Sequence, residues 1–173
     1  MESRGFVFCF ESNEESKSDQ RYVDALITCF YGKLPFRPVF MDGKNGYKKR
    51  AVGKEIERQK KLLEYDYSEI AVILFVDTDD EIMSLSSQNK KELDDVKKFC
   101  ADHGYKLVLF VKEIEDVFKV QTDRKHKTKA SKNFLLNNRN CDNLKEENLS
   151  KSDPVKKGES NILHILDNHL KRK

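Results

Sequence analysis

Two aspartates close the longest apolar run in the chain. Ile70 to Val76 contains only Ile, Ala, Val, Leu and Phe, and Asp77-Thr78-Asp79-Asp80 follows at once. Alternation along a strand end predicts that Asp77 and Asp79 point to a common side. Two other apolar runs also end in acids: Glu11 follows Phe6 to Phe10, and Glu113, Glu115 and Asp116 follow Leu107 to Val111. Carboxylates held within a few ångströms of one another raise their own pKa values unless a divalent cation neutralises them. All-oxygen ligation with open positions suits Mg²⁺ or Mn²⁺, which keep waters and can hold a phosphate. The expected metal ligands are Glu11, Asp77 and Asp79, with Glu115 as a further catalytic acid. Glu113 competes with Glu115 for that place, and the spacing leaves open whether Glu11 or Glu115 completes the set. Asp80 is expected in a turn or cap.

These acids need a scaffold that brings three strand ends together, and the pattern along the chain supplies one. Gly5 to Phe10 reads as a strand covered on both faces. Ser18 is the expected cap of a helix with Tyr22, Val23, Leu26, Ile27 and Phe30 on one side and Gly32 just beyond. A weaker strand over Pro38 to Met41 precedes turn signals at Asp42-Gly43 and Asn45-Gly46. Val52, Ile56, Gln59 and Leu63 predict a surface helix from Lys48 to about Tyr65, despite Gly53. Glu69 to Val76 is the clearest strand, Ser86 to His103 the third helix with a Gly104 stop, and Lys106 to Val111 the fourth strand.

Strands alternating with helices imply β-α-β crossovers, so the fold class is α/β: a Rossmann-like parallel sheet of about four strands with helices on both faces. In such folds ligands bind in the crevice at the carboxyl ends of the strands, where these acids converge.

The 173 residues suit one domain, with 38% hydrophobic and 36% charged residues. Three units are expected: an α/β body over 1–118, a basic polar loop over 119–158 that is partly disordered, and a closing helix over 159–173 that docks on the body. The middle segment holds eleven Lys or Arg against five Asp or Glu, while the whole chain carries +3. Ser160 is the expected cap of the closing helix, whose apolar face is Ile162, Leu163, Ile165, Leu166 and Leu170. The longest apolar run is seven residues, against roughly 20 for a membrane span. No basic region with a cleavable apolar segment opens the chain, so a soluble, cytoplasmic protein with no membrane contact is expected. Cys9, Cys29, Cys100 and Cys141 are scattered without metal-ligand spacing and are expected as buried reduced thiols. The four histidines show neither zinc spacing nor a nucleophile elbow.

The order of elements and the motifs Phe10-Glu11 and Val76-Asp77-Thr78-Asp79 resemble the Toprim domain of topoisomerases, primases and nucleases. The resemblance covers roughly residues 5 to 118 and is nearest to small RloB-like and overcoming-lysogenisation-defect (OLD) type nucleases. In RloB-like members a Thr-Glu dipeptide and a Tyr open the first helix, and Ser18-Asp19-Gln20-Arg21-Tyr22 is similar to that. Ser12 stands where the family usually has Gly, and Glu115 has no place in its standard motif.

The resemblance implies Mg²⁺-dependent cleavage of phosphodiester bonds in DNA or RNA, with Glu11 as general base or ligand. It also implies a role in antiviral defence beside an ATPase. The chain has no phosphate loop, so that ATPase would be a separate polypeptide. Lys44, Lys48, Lys49 and Arg50 after the second strand, and Arg124, Lys125 and Lys127 in the basic segment, are the expected nucleic-acid contacts. No aromatic residues alternate with them to suggest base stacking. Two other functions stay open: a non-catalytic nucleic-acid or partner-binding subunit, and a receiver-like domain with Asp77 as phosphoacceptor.

Overall fold

The computed structural model describes residues 4–137 and 139–173. Residues 1–3 of the expected body and residue 138 of the basic segment lie outside the described residues. Four strands, β1 (Arg4–Phe10), β2 (Arg37–Phe40), β3 (Glu69–Asp77) and β4 (Lys106–Phe110), form one sheet in the order β2-β1-β3-β4. Every pairing is parallel. The expected α/β class is therefore the observed one.

Side chains of β1 and β3 alternate between two cores. Phe6, Phe8, Phe10, Ile73 and Phe75 face α1 (Ser18–Phe30), while Val7, Cys9, Val72, Leu74 and Val76 face α2 (Arg50–Leu63) and α3 (Ser87–His103). The first face is aromatic: Phe75 lies 5.1 Å from both Phe8 and Phe10 and 6.3 Å from Phe110 between ring centroids. Such pairs contribute about 0.5–1.5 kcal/mol each beyond burial. The second face is mainly aliphatic and sulfur-bearing, with Tyr47 buried in it and Phe99 and Tyr105 packed at its margin. Continuous apolar runs are what a sheet covered on both faces requires.

Several boundaries differ from expectation for local reasons. Lys17, at φ 49°, occupies the cap position of α1, and Ser18 is its first helical residue. Ser86 does cap α3, its hydroxyl accepting the Asn89 N–H at 3.1 Å. A short helix that the sequence pattern does not announce, α4 (Ile114–Val117), follows β4 directly.

The segment 119–158 corrects the expectation of a basic polar loop. It carries α5 (Lys127–Leu136), a 3₁₀ turn (Asn140–Asn143) and α6 (Glu146–Leu149). Phe134 anchors it, with its ring 5.2 Å from Tyr22 and 5.4 Å from Phe118. Leu144 and Leu149 join the same core. Three apolar residues spaced far apart suffice, because each enters a core that α1 and α4 already frame. Cys141 of this segment is disulfide-bonded to Cys29 of α1, with Cα atoms 6.6 Å apart. That overturns the reading of four reduced thiols; Cys9 and Cys100 alone are free and buried.

The chain end then covers the β4 edge. Asn161 Oδ1 accepts the Leu109 N–H and its amide donates to the Leu107 carbonyl, at 2.8 and 2.9 Å. Unpaired edge groups are thereby satisfied. Asn161, not Ser160, occupies the cap position of α7 (Ile162–Asp167). Ser160 bridges to Phe110, and Ile162, Leu163 and Leu166 are buried as expected.

Candidate active site

The strand order places the sheet's reversal point between β1 and β3, which run out to opposite edges through β2 and β4. Ligand crevices of open α/β sheets form at the carboxyl end of such a point. The β1–β3 ladder ends at the pair Phe10 and Phe75. The next residues of interest, Glu11 and Asp77, are joined directly, since Glu11 Oε1 accepts the Asp77 N–H at 2.9 Å. A carboxylate thus takes the place of the missing ladder acceptor.

Two more acids close on this pair. Asp19, in the first turn of α1, accepts the Ser12 N–H at 3.0 Å. Glu115 lies in α4 and is only 4% exposed. Asp77 Oδ1 accepts the Ile114 N–H at 3.0 Å, which ties β3 to α4 and fixes where Glu115 enters. The competition between Glu113 and Glu115 is resolved by a capping box: Glu113 and Asp116 bond each other's backbone at the start of α4. Their carboxylates stay at the rim, leaving Glu115 as the inward acid.

The electrostatics follow from burial. Desolvation pushes Glu11 up to about 8, and the charges of Asp19 and Asp79 push the same way against the Asp77 N–H bond. Desolvation lifts Asp19 to about 6, with the Glu115 charge adding and the Ser12 N–H opposing. Asp77 is raised well above the usual carboxylate range by burial and then by Glu11, Asp19 and Glu115. The Tyr22 hydroxyl is buried without a hydrogen-bond partner among the described residues, and after burial the charges of Glu115 and Asp19 oppose its ionisation.

One cation reaches into this cluster. Lys127, the first residue of α5, lies 3.2 Å from Glu113 and 3.4 Å from Glu115. Burial disfavours its charge, but Glu115 and Glu113 outweigh that and raise its pKa. Expected as a nucleic-acid contact on a loop, Lys127 is instead held by a helix against the acids. Arg124 and Lys125 are exposed just before it.

Asp79 does not join the buried set. β3 stops at Asp77, and Asp79 turns at φ 66° with its N–H on the Lys112 carbonyl at 3.0 Å. The positive φ ends the strand alternation, so Asp77 and Asp79 diverge. The Asp79 side chain is 53% exposed and paired with Lys44 at 2.6 Å; Lys44 also lies 3.5 Å from Glu92 of α3. Asp80 is a turn acid as expected, accepting the Glu81 N–H at 2.8 Å. Lys48 lies in a 3₁₀ turn (Gly46–Lys48), Lys49 caps α2 and Arg50 opens it, all three exposed. Gly46 is required there, because a Cβ would sit 1.9 Å from the Met41 carbonyl oxygen.

Glu11, Asp77 and Glu115 are thus brought together, Asp79 stands aside, and Asp19 is the acid the sequence reading missed. Its only signal was its place beside Ser18, and an acid in a first helical turn is ordinarily explained by the helix dipole. Among the described residues no group of three His, Cys, Asp or Glu side chains is arranged to hold a metal ion as it stands. The donor set is nonetheless all-oxygen, buried and mutually repelling, which is the chemistry a hard divalent cation relieves. Compared with known proteins, the chain matches no family model, no curated protein and no solved structure.

Proposed function

We propose that this protein is an Mg²⁺- or Mn²⁺-dependent nuclease that cleaves phosphodiester bonds at the carboxyl edge of its sheet. The observation that carries the reading is the juxtaposition of Glu11, Asp19, Asp77 and Glu115 at the reversal point, where burial and neighbouring charge drive up the pKa values of Glu11, Asp19 and Asp77. Glu11 and Asp77 are the proposed principal ligands, with Asp19 and Glu115 flanking them and Asp79 at the rim. A divalent ion held there would polarise the phosphate and lower the pKa of a bound water.

The chain's own groups have separable tasks. The backbone bonds to Glu11 Oε1 and Asp77 Oδ1 fix one oxygen of each carboxylate and leave the other for the proposed ion. Glu11, raised to about 8 in the metal-free protein, would be drawn to its charged form by an ion held there. Lys127, beside Glu115, and Lys44, beside Asp79, are the proposed contacts for phosphate oxygens. The proposed partner is a separate ATPase and the proposed role is antiviral defence. Among the described residues no helix is long and apolar enough to cross a membrane.

The test is cleavage of labelled DNA and RNA by the full chain with Mg²⁺, Mn²⁺ or EDTA, compared with Asp77→Asn and Glu11→Gln. Both variants keep the oxygen that accepts its backbone N–H, so the fold is retained while charge is removed. Metal-dependent cleavage lost in both supports the reading. Metal-independent cleavage, or full activity in both variants, sinks it. Nucleic-acid binding without turnover in the parent, alone or with ATPase partners added, would identify the non-catalytic subunit.

A further inference from the structure

A second recess lies on the α2–α3 face, away from the acidic cluster. It is a cavity of about 690 Å³, within the usual size range for ligand pockets. Its apolar wall is a run of rings from three elements. Tyr47 lies 4.8 Å from Phe99, Phe99 lies 4.1 Å from His103, and His103 lies 5.3 Å from Tyr105, centroid to centroid. The facing wall is cationic: Arg50, Lys54 and Lys61 line it and have no acidic partner among the described residues. Glu57 is the one acid in the lining.

One detail points to an occupant. Gly53 stands in the interior of α2, where glycine weakens a helix relative to alanine. Packing does not require it, because a Cβ there would meet no heavy atom within 4 Å. Gly53 lines the cavity, so the missing side chain keeps its wall low.

We infer that this groove binds single-stranded nucleic acid, with bases against the Phe99–His103–Tyr105 rings and phosphates on Arg50, Lys54 and Lys61. Aromatic stacking beside a cationic track is the chemistry that holds unpaired strands, and a duplex hides the base faces it needs. Lys48 at the groove's rim is bonded to Asp95 of α3, and Lys44, four residues earlier in the chain, holds Asp79. The sequence shows no alternation of aromatic and basic residues here because the rings come from a 3₁₀ turn, the end of α3 and the residue just before β4. The inference deepens the nuclease reading by naming a single strand as substrate, but its binding test does not depend on turnover.

The experiment is fluorescence anisotropy on the full-length Asp77→Asn protein in EDTA, with labelled single-stranded DNA and RNA of roughly 12 nucleotides, and the matching duplex. Single strands of one or both kinds are expected to bind at least about tenfold more tightly than duplex, the scale of one lost stacking contact. Adding Arg50→Glu and Lys54→Glu together is expected to weaken binding about tenfold or more. Gly53→Leu changes no charge and projects into open space; it is expected to weaken binding about fivefold with a melting temperature no lower than the parent's. Equal affinity for duplex, or parent-like affinity in both groove variants, overturns the inference. If these affinities hold while the parent protein cleaves nothing in Mg²⁺, the groove stands and the nuclease reading alone falls.

Discussion

The carboxyl-edge cluster and the α2–α3 groove hold their charges in opposite ways. In the cluster, four acids are drawn inward by backbone bonds and by α4, and burial makes their charges expensive. In the groove, the cations stay in solvent and the Phe99 and Tyr105 rings are only half-buried, so little is spent on desolvation. On the proposed reading, buried like charges make a site for a counter-ion, and exposed cations over an apolar wall make a surface for a polyanion with flat, apolar faces.

The contrast breaks most severely if the acids are neutralised. Asp77→Asn is expected to lower metal-dependent cleavage by at least about a hundredfold while single-strand affinity in EDTA stays at the parent level. Equal loss of both would mean that the two regions are one site. The next largest effect concerns the support of the acidic side alone. Cys141→Ser opens the Cys29–Cys141 link, whose partners are 112 residues apart, and should cost roughly 2–4 kcal/mol. Because that link ties the segment bearing Lys127 to α1, cleavage should fall with the melting temperature while the groove keeps its affinity. Thiol titration should find two free cysteines in the denatured parent.

The sign of the pH dependence sharpens the difference further. Glu11 and Asp19 have folded pKa values above their unfolded ones, near 8 and 6. The folded state therefore binds more protons between the two, and stability is highest below the unfolded values and declines as pH rises toward 8. Without metal, melting temperature should drop from pH 5 to pH 8, and Glu11→Gln should flatten that slope; each kcal/mol corresponds to about 2–4 °C at this length. Mg²⁺ should restore more stability at pH 8 than at pH 5, since it binds the deprotonated carboxylates. Groove variants should leave the slope unchanged. The smallest effect is Gly53→Ala, expected to raise stability by up to about 1 kcal/mol in denaturant unfolding through helix propensity alone.

Much of the fold was legible because its strands are covered on both faces. Such strands must be continuously apolar, and Phe6 to Phe10, Ile70 to Val76 and Leu107 to Val111 stand out against a chain that is 36% charged. The acids ending those strands were legible for the same reason, since the position of a strand end is set locally. The segment 119–158 was not. Its helix α5 depends on Phe134 reaching Tyr22 and Phe118, contacts that polar composition does not announce. Its consequence is that Lys127 belongs with the acids.

Sequence by itself determined the parallel α/β sheet, the carboxyl-edge placement of Glu11 and Asp77, and the inward apolar face of the closing segment, because each depends on side-chain type and period along a single element. Tertiary structure alone decided which carboxylates share a space. A positive φ at Asp79 turned one member of the Asp-x-Asp pair outward to Lys44, a capping box assigned Glu113 to the rim, and the entry of α1 brought in Asp19. It likewise assembled Tyr47, Phe99, His103 and Tyr105 into one wall. These outcomes turn on single dihedrals and on meetings between distant elements, and periodicity along the chain carries no information about either.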